Sequence, residues 1–131
     1  MKKRWALVVD DDEDSLLLLK RFLESMNVGV HVAQNGIEAV EFTGLMNVDI
    51  VFMDINMPIL DGVRASKKLK EIREDLPIIG VTGEPLPLYI QADGSTEPFD
   101  QLLAKPINDE VISQALWNQE LLWSDEEELA C

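Results

Sequence analysis

Trp5-Ala6-Leu7-Val8-Val9 running straight into Asp10-Asp11-Asp12, and Ile50-Val51-Phe52-Met53 running into Asp54, are the two stretches that decide the fold. Neither apolar run alternates with polar residues. Such a run reads as a strand covered on both faces, the habit of parallel sheets. In open α/β sheets, ligands bind beyond the carboxyl ends of the strands, where strand order reverses. If the two strands are neighbours, Asp10, Asp11 and Asp54 meet in one pocket. At an effective dielectric of about 20, two such charges about 4 Å apart repel by roughly 4 kcal/mol. A proton or a cation must relieve that repulsion, and a hard divalent ion with oxygen ligands is the natural guest.

Outward from these stretches, strand and helix signals alternate. A first strand over 5–10 is followed by a helix capped by Asp14 or Ser15 and running to Met26, with Leu16, Leu19, Phe22, Leu23 and Met26 at helical spacing. A second strand covers 28–33, and Gln34-Asn35-Gly36 turns into a helix over 37–46 with Ile37, Val40 and Leu45 inward. A third strand covers 49–54, and Asp61-Gly62 opens a helix over 63–74 with Val63, Leu69 and Ile72 inward. Pro77 to Val81 reads as a fourth strand ending at Thr82. A short fifth strand over 101–104 ends at Lys105-Pro106, and Asn108 caps a last helix through Trp123. Between strands four and five, only Leu88 to Asp93 has room for a helix, because Pro85, Pro87, Gly94 and Pro98 break the flanks. The pattern predicts a single doubly wound α/β domain of (βα)5, flavodoxin-like type, with parallel strand order 2-1-3-4-5 and a short, irregular fourth helix. The domain is expected over 1–124, with an acidic tail over 125–131.

Composition narrows the functions. The chain has 131 residues and a net charge of −14, from 25 acidic and 11 basic residues. One domain of this size buries about two thirds of its unfolded surface, enough for one core. Direct nucleic-acid binding is excluded, since it needs a basic face. Basic or neutral protein surfaces suit such a charge better. The single Cys131 cannot form an internal disulfide, which fits a reducing, cytoplasmic compartment. No apolar stretch reaches membrane-spanning length, so membrane insertion is not expected.

With strand order 2-1-3-4-5, the ends of strands 1, 3, 4 and 5 line one edge and bring Asp10, Asp11, Asp54, Thr82 and Lys105 together. A carboxylate nucleophile, a cation site, a hydroxyl and a fixed ammonium suit phosphoryl transfer, which needs positioning and charge neutralisation above all. Magnesium would bridge the carboxylates and the incoming phosphoryl oxygens.

Val8-Val9-Asp10-Asp11, the run Met53-Asp54-Ile55-Asn56-Met57-Pro58-Ile59-Leu60-Asp61-Gly62, Val81-Thr82-Gly83-Glu84 and Ala104-Lys105-Pro106 resemble the signatures of the response-regulator receiver domain, the CheY-like module of two-component and phosphorelay signalling. The resemblance spans almost the whole chain, in order. It implies a phosphorylation-dependent switch in which Asp54 accepts a phosphoryl group from a phosphohistidine, as a self-catalysing phosphoacceptor rather than a turnover enzyme. It implies Mg2+ held by Asp11, Asp54 and the Asn56 carbonyl, with Asp10 acting through a water. Lys105 would pair with Asp54 and then with the phosphoryl group, aimed by a cis bond before Pro106. Thr82 and the Gly83 N–H would hold the phosphoryl oxygens, and Asn56 and Glu84 would tune the lifetime of the phosphorylated state. The implied partners are a sensor histidine kinase or histidine phosphotransfer protein and an output protein, with a phosphorylation-dependent homodimer left open. Two positions depart from the family. Leu102 stands where receivers often carry Tyr or Phe, and Pro85, Pro87 and Pro98 interrupt the fourth helix. Both bear on the route from site to output face.

Other readings compete. Asp10-x-Asp12 imitates the first motif of a haloacid-dehalogenase-like phosphatase, but that family needs a further acidic pair after the lysine, and Asn108-Asp109-Glu110 reads as a helix cap. A degenerate receiver acting only as an interaction scaffold is the third reading. The calcium-loop pattern begun by Asp10, Asp12 and Asp14 fails at Ser15 and Arg21. His31 is expected to be structural, Trp117 and Trp123 to pack, Trp5 to lie in the core or at its rim, Asp12 and Glu13 to be solvated or to serve the helix dipole, and Cys131 to be inert.

Overall fold

Sheet and helices follow the alternating pattern in the computed structural model, which describes residues 3–55, 57, 61–83 and 97–119. The strands are β1 (Trp5–Val9), β2 (Gly29–Ala33), β3 (Ile50–Asp54), β4 (Ile78–Thr82) and β5 (Gln101–Ala104). They pair in parallel, in the order β2-β1-β3-β4-β5, as the sequence predicts. The helices are α1 (Glu13–Ser25), α2 (Gly36–Leu45), α3 (Gly62–Ile72) and α4 (Asp109–Asn118). The expected helix over 88–93, Trp123, the acidic tail and Cys131 lie outside the described residues.

Successive strand residues point to opposite faces, so each unbroken apolar run feeds two cores. Leu7, Val9, Val51, Met53 and Ile78 pack with Ala39, Ala65 and Leu69 of α2 and α3. Ala6, Val8, Ile50, Phe52 and Val81 pack on the other face with Leu16, Leu19 and Leu23 of α1 and Ile112 and Leu116 of α4. The caps are local. Asn35, Asp61 and Asn108 accept the backbone N–H of Glu38, Arg64 and Val111 at 2.9 Å each.

Several expectations are corrected. Asp12, not Asp14 or Ser15, caps α1. Its carboxylate accepts from the Ser15 N–H at 3.3 Å and the Ser15 hydroxyl at 2.8 Å, and the serine bond holds its pKa below the ordinary aspartate value. Ile37 and Leu45 are exposed, while Ala39 and Thr43 form the buried stripe of α2. Apolar residues lie on every side of this helix, with Glu38 and Glu41 among them, so its period does not specify one face. The Thr43 hydroxyl is satisfied by donating to the Ala39 carbonyl at 2.9 Å. Ile72 is exposed because α3 ends there and the chain turns. Arg73 then donates to the Val48 carbonyl at 2.5 Å. Trp117 is half exposed, since the buried stripe of α4 is Ile112, Ala115 and Leu116.

His31 is structural, as expected. Its ring stacks on Trp5, with centroids 4.5 Å apart at 13°, and meets Phe42 at 4.8 Å. Burial there lowers its pKa from 6.5. The unfolded chain therefore protonates at higher pH than the folded one, so this residue's effect is absent well above pH 6.5 and costs stability as pH falls through that value. Urea midpoints from pH 7.5 down to 5, taken in parallel for the wild type and His31→Phe, are expected to fall less steeply in the variant. Equal slopes would show that the ring stack imposes no penalty on the protonated imidazole.

Candidate functional site

Parallel register builds the site. Val9 pairs with Met53, Asp54 with Val81, and Thr82 with Ala104. Asp10, Asp54, Thr82 and Lys105 thus leave the sheet at one level on four adjacent strands, while β2 ends outside them in Ala33. The Asp10 N–H donates to the Ala33 carbonyl at 3.1 Å, and the Lys105 N–H to the Thr82 carbonyl at 2.8 Å. Sheet pairing therefore extends one step beyond the strands and fixes the backbone of both residues.

Asp10, Asp54 and Thr82 are buried, and Asp11 is exposed. One carboxylate oxygen from each of Asp10, Asp11 and Asp54 lies within 4.8 Å of the others. Asp10 is held at both oxygens. Oδ1 accepts the Asp12 N–H at 2.9 Å, and Oδ2 accepts from the Lys105 ammonium at 3.1 Å. The lysine is 28% exposed and this carboxylate 8%, so the pair sits where charge attraction is only partly screened. The Lys105–Pro106 bond is cis, as the resemblance implies. Asn56 and Glu84 lie outside the described residues. All-oxygen donors at this spacing fit a hard divalent cation.

Two features escaped sequence reading. Asp54 is supported from below by Gly62, whose N–H donates to the Ile55 carbonyl at 3.0 Å. A Cβ on Gly62 would stand 2.1 Å from the Asp54 carbonyl oxygen. The Asp-Gly pair signals a helix start, but nothing local announces that contact. A cleft of about 370 Å³ also opens beside Asp54 and Lys105. Its signal is the four-leucine run Leu16 to Leu19, which is wider than one helix face and leaves Leu17 and Leu18 exposed.

Comparison with known proteins points one way. The family model described as the response regulator receiver domain matches residues 6–117. The sensor histidine kinase RcsC of Escherichia coli is 34% identical over 110 residues, 84% of this chain and 12% of that protein. The autoinducer 1 sensor kinase/phosphatase LuxN of Vibrio harveyi is 37% identical over 79 residues, 60% of this chain and 9% of that one. The chain thus spans only 9 to 12% of the length of these two curated relatives. Among solved structures, the response regulator TrrA of Thermotoga maritima, in complex with Mg2+–BeF, superposes with a TM-score of 0.79 at 27% identity, covering 88% of this chain and 98% of that one. The chemotaxis protein CheY4 of Vibrio cholerae superposes with a TM-score of 0.81 at 25% identity, covering 89% and 98%. These likenesses do not favour the haloacid-dehalogenase-like phosphatase reading. No helix among the described residues is long and apolar enough to cross a membrane.

Proposed function

This chain belongs to the response regulator receiver domain family of two-component signalling, and on that premise we propose that Asp54 is its phosphoacceptor, with Asp10, Asp11, Thr82 and Lys105 as the supporting site. The observation that carries the reading is three strand-end carboxylates with oxygens within 4.8 Å of one another, next to a lysine 3.1 Å from one of them.

The donor set fits Mg2+, which TrrA holds in its complex with BeF. Asp11 and Asp54 would bind it directly with the Asn56 carbonyl, and Asp10 through a water. A bound Mg2+ would neutralise charge on the phosphoryl oxygens. The rest falls to the chain. An Asp54 carboxylate oxygen forms the bond to phosphorus as the donor's leaving group departs with its electron pair, giving an acyl phosphate. The Lys105 ammonium, held on Asp10, supplies positive charge to the phosphoryl oxygens. The Thr82 hydroxyl and the Gly83 N–H donate to those oxygens. Hydrolysis of the acyl phosphate resets the site. The donor proposed is a phosphohistidine on a sensor histidine kinase or phosphotransfer protein, and the output is an altered protein contact or onward transfer. The proposed domain runs over 1–124, in keeping with the matched span 6–117.

Incubation with acetyl phosphate and Mg2+, followed by intact mass, is expected to add one phosphoryl group that is lost at alkaline pH. No addition under any donor, with an unchanged melt in fluoroberyllate, would leave the scaffold reading in its place. Mg2+ itself should stabilise the free protein by mass action, about 1.4 kcal/mol at ten times its dissociation constant. Asp11→Asn should remove most of that gain. A melt indifferent to Mg2+ in both proteins would contradict the cation site.

A further inference from the structure

We infer that the cleft beside Asp54 is a subsite for the leaving group of a small phosphoryl donor, and that it selects aromatic acyl phosphates over acetyl phosphate. The inference rests on the reading of Asp54 as phosphoacceptor. Asp54 and Lys105 stand in the wall of this cleft together with Val8, Leu18, Phe52 and Ile107. Its volume of about 370 Å³ lies at the small end for ligand sites. That is room for a substituted ring but not for a helix.

Two observations argue for an apolar leaving group. The floor is dry hydrocarbon, since Val8 and Phe52 are each 1% exposed. The outer wall is Leu18, which is 46% exposed and stands apart from the stripe that α1 buries in the core, Leu16, Leu19 and Leu23. A ring seated there rests on a floor that already excludes water and removes from water its own faces and the exposed side of Leu18. An acetyl group is too small to reach both. The charge balance sharpens the case. A chain of net charge −14 repels a dianionic donor, and Lys105 is the cation among the described residues that line this cleft. Affinity for the donor's other end must then come from burial.

With benzoyl phosphate the step balances without a redox partner. An Asp54 oxygen forms the new bond to phosphorus, the bond from phosphorus to the benzoyl oxygen breaks, and benzoate leaves with the electron pair. The products are aspartyl phosphate and benzoate.

The test measures second-order rates of phosphoryl uptake from benzoyl phosphate and acetyl phosphate, with Mg2+, in the wild type and in Leu18→Asn. The ratio of the two rates, compared between proteins, cancels the donors' intrinsic reactivities and any loss of active protein. The wild type is expected to favour benzoyl phosphate by about tenfold, the discrimination an apolar pocket gives to a modest increase in hydrocarbon. Leu18→Asn should cut that ratio several-fold, and Leu18→Ala should fall between. Uptake from acetyl phosphate with the same ratio in all three proteins would overturn the subsite. Uptake from neither donor would overturn the subsite, and a melt that fluoroberyllate also leaves unchanged would overturn the phosphoacceptor reading with it.

Discussion

Asp54→Asn is expected to lose all phosphoryl uptake while melting no lower, in the absence of Mg2+, than the wild type. The two effects have one origin. A carboxylate oxygen can attack phosphorus and give an acyl phosphate, whereas an amide has its lone pair delocalised and forms no such product. The same substitution removes one of three like charges whose oxygens lie within 4.8 Å of one another. At an effective dielectric of about 20, each such repulsion amounts to a few kcal/mol before screening, Lys105 and hydrogen bonding offset most of it. A residual gain of about 1 kcal/mol would raise the melting temperature by roughly 3–5 °C for a chain of this length. Adding Mg2+ should reverse the order, because the cation stabilises the wild type and has lost a ligand in the variant. Intact mass after incubation with acetyl phosphate and melts with and without Mg2+ read both arms. Uptake that persists in Asp54→Asn would move the phosphoacceptor elsewhere. A large drop in melting temperature without Mg2+ would show that Asp54 is held by more than it repels.

Gly62→Ala should be more damaging than alanine at Gly29, Gly44, Gly80 or Gly83. Its Cβ would lie 2.1 Å from the Asp54 carbonyl oxygen, 2.7 Å from the Ile55 Cα and 2.9 Å from the Asp54 carbonyl carbon. All three are backbone atoms, so no rotamer change relieves the contact. Either α3 moves out or the end of β3 moves with Asp54 on it. Overpacking of this kind costs about 1–3 kcal/mol. It outweighs the gain of about 0.5–1 kcal/mol that a helical glycine-to-alanine change usually brings. Displacing Asp54 by about 1 Å could also slow phosphoryl uptake on the order of 100-fold. Gly44→Ala is the matched control. A Cβ there meets nothing within 4 Å, so that variant should be slightly more stable and should take up phosphoryl groups normally. Equal melts and equal uptake for the two variants would refute the close approach of Gly62 to Asp54.

The order of elements and the residues at the strand ends were legible because both are written locally. An apolar run of five residues that stops at a carboxylate needs no partner to be read as a buried strand with a polar exit. The caps at Asn35, Asp61 and Asn108 were legible for the same reason, since each acts within three residues. The failures also have a local cause. Around α1, Asp12, Glu13, Asp14 and Ser15 are all plausible first-turn residues, and only the backbone path selects Asp12. In α2, Ile37, Val40, Phe42 and Leu45 surround the helix, so periodicity could not choose the small-residue face that meets α3. Trp117 followed the buried Leu116 around the helix and out to solvent.

By itself, then, the sequence determined the strand count, the parallel habit and the set of polar groups available at strand ends, because these depend on neighbours a few residues away. Only the tertiary structure decided how that set is arranged. Lys105 lies on Asp10, 95 residues distant in the chain, because the pairing of four strands brings their ends to one level. Gly62 lies under Asp54 because α3 docks its first turn on the end of β3. Register and docking are sums of many weak contacts between distant segments, and no local pattern records where such a sum places one ammonium or one missing methyl group.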